Sequence, residues 1–204
     1  MAHRIIWQKA IHALAVVGLT LLAARAAAQE PTAHAMKALV DLPAWKTVTV
    51  GTYARVEAVR DALEQARISV GLWADEILGR PAFTFSTEPT PLNLIVLSVA
   101  QLGFDGNGAA LADIHARATS LGLELCPGEV GPYLRLQYLD QPGGEFLRIG
   151  MMPHLTYDGE FVDFTLGNGG AGLALLGGRA RPDVVVPRNV AFVFVRPDAY
   201  QASR

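Results

Sequence analysis

Residues 46–50 alternate, with Val48 and Val50 on one side and Thr47 and Thr49 on the other, which predicts a strand. The period then changes. Val56, Val59, Ala62, Leu63 and Ala66 recur at helical spacing with Arg55, Arg60, Asp61, Glu64 and Arg67 opposite, an amphipathic helix that Thr52 is placed to cap. A shorter helix is expected over residues 71–78, closed by Gly79 and Pro81 and carrying Trp73 as a core or groove-wall residue. Residues 83–85 read as a short strand. The apolar run 92–102, with Ile95, Val96 and Val99 β-branched, reads as a strand buried on both faces. A further helix is expected from about residue 109 to 121, with Leu111, Ile114, Ala118 and Leu121 inward, stopped by Gly122.

Beyond residue 132 the period becomes two. Leu134, Leu136 and Tyr138 alternate with Tyr133, Arg135 and Gln137, and after a turn at 140–144 the segment 145–152 returns as a hairpin partner. Strands are also expected at 161–166, 173–176 and 189–195, making an antiparallel meander. The pattern as a whole predicts an α+β fold: two to three helices from the first half packed on a mainly antiparallel sheet built largely by the second.

The first 28 residues change the picture. Arg4 and Lys9 precede an apolar run, and Ala26, Ala27 and Ala28 make a small-residue cleavage site, the pattern of a secretory signal peptide. The run is broken by His12 and followed by Arg25, so it falls short of the roughly 20 residues a span needs. The expected organisation is a signal at 1–28, an N-terminal arm at 29–45 and one domain at 46–204, exported to a bacterial periplasm or beyond with no membrane insertion after cleavage. Loss of three basic residues with the leader takes the formal net charge from −2 to −5. That balance, with no Lys/Arg run, excludes nucleic acid as the expected partner. Cys126 is the single cysteine, so no internal disulfide is possible.

Several motifs invite chemistry. Residues 167–172, G-N-G-G-A-G, match a dinucleotide fingerprint, but no helix can follow before Gly177 and Gly178, so the segment is expected to be a hairpin loop. Residues 105–108, D-G-N-G, lack the later donors of a calcium loop, with Ala109, Ala110 and Ala116 in the decisive places; a turn opening a helix is expected instead. The mature histidines, His34, His115 and His154, have no metal-ligand spacing, and His115 falls at the edge of an apolar helix face. No cofactor or metal is expected. A cysteine hydrolase would place Cys126 as nucleophile, His154 as base and Asp163 or Asn168 as orienting group, in the chain order exported enzymes of that kind use. Against it, the apolar sequence before Cys126 suits an inert thiol. The other expectation is a binding module for an unknown protein or small molecule, using Tyr133, Arg135 and Gln137 on the outer face of a strand with Arg148 as cross-strand neighbour.

The run L-G-L-E-L-C-P-G-E-V-G-P-Y-L-R-L-Q-Y followed by D-Q-P and G-E-F-L, residues 121–147, resembles a family of small bacterial proteins with an L-E-L-C-P-x-E-V-G-P-x-L-R-L-Q-Y signature. The similarity extends from about Lys46 to F-V-F-V-R-P near the C-terminus. Where the family has I-A-M-E-P-I this chain has I-G-M-M-P-H, with Met152 in place of the acid and His154 two residues on. The resemblance implies one exported domain and no particular chemistry.

Overall fold

The structure is a computed structural model and describes residues 42–53 and 55–197. The expected signal at 1–28, most of the expected arm at 29–45 and His34 lie outside the described residues. The first strand, β1 (Lys46–Val50), falls where the alternation puts it. The amphipathic helix α1 is Val56–Gln65, with Val59 and Leu63 buried; it starts at Arg55, without a side-chain cap, so Thr52 lies in the preceding turn. A two-residue strand β2 (Ser69–Val70) leads into α2 (Leu72–Leu78). Residues 83–85 form no strand: Phe83 and Phe85 pack edge to face on each other, their rings 5.2 Å apart. The apolar run becomes β3 (Thr90–Ser98) and then turns, its Leu94 entering one core and Ile95 and Leu97 the other. A short strand β4 (Gly108–Ala110) precedes α3 (Leu111–Ser120), because Gly108 and Ala109 pair with Pro187 and Val186 before the helix begins.

The largest departure from the sequence pattern is at residues 130–137. They form a helix, α4 (Val130–Gln137), and make no hairpin with residues 145–152. The alternation misleads because both faces are enclosed: Val130, Tyr133, Leu134 and Arg135 are all buried. A helical signal was present, with Val130, Tyr133, Leu134 and Tyr138 at helical intervals. Pro132 is the third residue of the helix, where the missing N–H has no partner to lose.

The remaining strands are β5 (Phe146–Ile149), β6 (His154–Leu155), β7 (Phe161–Gly169), β8 (Gly172–Arg179), β9 (Val185–Pro187) and β10 (Ala191–Val195). They complete an eight-stranded, mostly antiparallel sheet in the order β1-β3-β10-β5-β7-β8-β2, with β6 on β7; β4 and β9 form a separate ribbon. The second half is not a simple meander. β10 runs parallel to β5 and antiparallel to β3, stitching the halves together. The glycine-rich segment is the tip of the β7–β8 hairpin, where Gly169 faces Gly172. The fold class is α+β, with four helices among the described residues, three of them before the signature stretch and the fourth within it.

The sheet is covered on both faces, unequally. On one side α1, α2 and α4 pack on β1, β3, β5, β7 and β8, with Val48, Leu63, Ile77, Tyr133, Ile149, Phe164 and Leu175 in contact. On the other, α3 and the β4–β9 ribbon cover β3 and β10 through Ile114, Ala118, Val186, Phe192 and Phe194. Over β5, β7 and β8 this second face is only partly covered: Phe146 is half exposed there and lies against Gly167, where a Cβ would stand 2.7 Å from its ring.

Candidate functional site

The signature stretch is enclosed. Its N-terminal part, residues 124–126, wedges between β10 and the continuation of β5: Glu124 exchanges backbone hydrogen bonds with Val195, and the Cys126 N–H donates to Gly150 O at 2.7 Å. Cys126 is 4% exposed, and its Sγ donates to Val193 O at 3.4 Å. Burial pushes the thiol well above its ordinary pKa. It is a protonated packing group, without the thiolate that a nucleophile needs.

Tyr133, Arg135 and Gln137, expected on an open sheet face, are fastening points of α4. The Tyr133 hydroxyl accepts the Tyr53 N–H at 2.7 Å and donates to Tyr53 O at 3.2 Å. Arg135 is 0% exposed, and its Nη groups donate to Gln141 Oε1, Tyr138 O and Gly167 O. Gln137 is exposed, but its amide accepts from Thr49 N at 3.0 Å and donates to Thr49 O at 2.9 Å, standing in for a neighbouring strand along the edge of β1. At the start of α4, Glu129 is buried and takes both the N–H and the hydroxyl of Ser86. Gly131 is required by close packing: a Cβ there would stand 2.5 Å from the Phe164 ring.

The proposed base and orienting group are engaged elsewhere. His154 is half-buried on β6, packed edge to face on Phe83, and burial together with the nearby Arg80 cation lowers its pKa. Asp163 lies inside the sheet and accepts the Arg148 Nε–H at 2.8 Å on Oδ2. Asn168 donates to Gln141 O at 2.6 Å. Among the described residues, no group of three His, Cys, Asp or Glu side chains could hold a metal ion.

What the structure leaves open lies on the other sheet face. Phe161 and Asp163 are two apart on β7 and so share a face; Leu155 is opposite Phe161, and Arg148 reaches Asp163 from β5. Beside them, at the start of α3, a half-open cavity of about 180 Å³ is lined by Leu111, Ala112, His115, Met152, Ala180 and Pro182. Its walls are almost wholly carbon. Exposed apolar residues lie in and beside it: Met152 in its wall is 69% exposed, and Phe161, whose carbonyl accepts the Ala180 N–H at 2.7 Å, is 39% exposed with Leu155 opposite at 46%.

Two titratable groups, one half-buried and one buried, border this face. His115 has its Nε2 enclosed and without a hydrogen-bond partner, and its ring stands edge-on to Phe192 at 6.4 Å. Burial, reinforced by the Arg148 cation, lowers its pKa to about 4, so the imidazole is neutral at pH 7. Asp163 has an unpartnered Oδ1, and burial raises its carboxyl to about 7 despite the Arg148 guanidinium. The sequence pattern singled out Arg148, but as a neighbour of Tyr133, Arg135 and Gln137, read His115 as a residue at the edge of an apolar helix face, and did not point to Met152, Leu155 and Phe161 as a site. Their signal was weak, three large apolar residues around the polar turn 156–160. No protein-family model, curated protein or solved structure matches this chain.

Proposed function

We propose that the chain is an exported binding module and that it binds through the face between α3 and the β6–β7 edge. The observation that carries this is the open apolar cavity with exposed Met152 in its wall and, next to its wall residue Ala180, exposed Phe161 with Leu155 opposite it. Apolar side chains scattered over a surface need no explanation; a group of them around a carbon-lined cavity marks a place where apolar surface of another molecule is covered. At about 180 Å³ the cavity suits one ring or one branched side chain, since an apolar cavity of about 150 Å³ accepts benzene. Export is supported by the basic head, apolar run and alanine cleavage site of residues 1–28, and places the mature N-terminus at Gln29. On this reading the signature shared with the family of small bacterial proteins is a folding signature.

The test uses toluene as a neutral probe, with calorimetry on the wild type and on Ala112→Trp. Ala112 is an exposed helix position on the cavity wall, so an indole there fills the cavity without entering the core. Saturable binding by the wild type that Ala112→Trp removes is the expected result. Binding unaffected by the substitution, or none at all, contradicts the reading.

A further inference from the structure

The face that carries the cavity also carries an incompletely satisfied cation, Arg148. Arg148 is held at two points: its Nε donates to Asp163 Oδ2 at 2.8 Å and its Nη2 to Arg179 O. Nη1 makes no hydrogen bond among the described residues and is not among the enclosed unpartnered atoms. The guanidinium is therefore fixed in orientation with one nitrogen left to the outside. Two observations place it next to the cavity. Its Nη2 holds the carbonyl immediately before Ala180, a cavity-wall residue, and its charge acts on His115, another. The guanidinium carbon also lies 5.6 Å from the Phe192 ring, which His115 faces from α3.

Charge complementarity then selects the ligand. Asp163 compensates the cation through one oxygen only, and burial holds that carboxyl up at about 7, so its neutralisation of Arg148 is partial. His115, neutral at pH 7, adds no second cation. A neutral apolar ligand would fill the cavity and leave Nη1 to water. A carboxylate joined to an apolar body would use both, because a guanidinium at low exposure makes strong charge-assisted hydrogen bonds to carboxylate oxygens.

We propose, building on the binding-module reading, that this face binds an organic carboxylate with an apolar body, the body entering the cavity at Leu111, Ala112 and Met152 and the carboxylate taking the Arg148 Nη1. A free acid and the C-terminal carboxylate of a peptide ending in an apolar residue share this chemistry.

The experiment measures affinity at pH 6 for phenyl-substituted carboxylates from benzoate to 4-phenylbutanoate, each beside its matching alcohol, and for a short peptide ending in phenylalanine beside its C-terminal amide. At least one acid in the series is expected to bind tenfold or more tightly than its alcohol. A gain for free acid only, or for the peptide over its amide as well, identifies the source. Arg148→Gln should abolish the preference for acid while alcohol binding persists. Because that change leaves Asp163 without its cation, Arg148→Gln combined with Asp163→Asn is measured beside it, with the fold checked by circular dichroism. Asp163→Asn alone keeps the guanidinium and should retain the preference. Equal binding of acids and alcohols, both lost in Ala112→Trp, overturns the carboxylate proposal and leaves the binding-module reading standing. Absence of any binding sensitive to Ala112→Trp overturns both.

Discussion

Arg135 shows how one residue can be conspicuous in a sequence and invisible to a partner. Read on an alternating strand it is a surface cation of the kind interfaces favour; in the fold it is sealed, giving its hydrogen bonds to Gln141 and to the carbonyls of Tyr138 and Gly167. Removing it strands those acceptors in the interior, so Arg135→Ala should lower unfolding stability by about 3–5 kcal/mol in urea titrations. Retention of wild-type stability would mean that the side chain is not engaged in this way. Cys126 makes a parallel case. A buried, protonated thiol reacts slowly, and alkylation is expected only after denaturation; fast labelling of the native protein near pH 7 contradicts the burial described for it. The enclosure of Arg135 could not be read from the sequence, because an arginine on an alternating run looks the same exposed or sealed, whereas the apolar residues before Cys126 already suited an inert thiol.

At the scale of elements, α1, α2 and the core of β3, β7 and β10 were legible because each has one buried face or a plain apolar run. α4 was not. It is eight residues long and enclosed on nearly every side, and Gly131 and Pro132 look like breakers until Pro132 is placed in the first turn and Gly131 against Phe164. Gly131→Ala should therefore cost about 1–3 kcal/mol through overpacking, against the stabilisation that Ala gives in an ordinary helix. Gln137 has a different role on the same element. By occupying the N–H and carbonyl of Thr49 it blunts the edge of β1, and Gln137→Ala should reopen that edge to pairing between chains. Light scattering that grows with protein concentration is the expected sign, and an unchanged monomer signal would count against it.

Across the whole molecule, two desolvated groups, His115 on α3 and Asp163 on β7, have proton equilibria that oppose each other. His115 has its folded pKa lowered to about 4 from 6.5, so the unfolded chain holds the proton more tightly and stability is lost as pH falls through that window. Asp163 has its pKa raised to about 7 from 3.8, so the folded chain holds the proton more tightly and stability is lost as pH rises from about 4 to about 7. Each effect is on the order of 1–3 kcal/mol, and in the wild type they largely offset. Asp163→Asn should leave stability rising with pH across this range, and His115→Gln should leave it falling. Parallel slopes in the two variants would contradict the assignment. The same face, with its apolar cavity and the open Arg148 Nη1, is the proposed place of binding, while α4, on the opposite side of the sheet, holds the fold together. The most direct test is an amide chemical-shift map of the ¹⁵N-labelled protein titrated with 3-phenylpropanoate. Shifts concentrated at residues 111–115, 148–153 and 179–182 are predicted; shifts centred on Tyr133, Gln137 and the edge of β1 would contradict it.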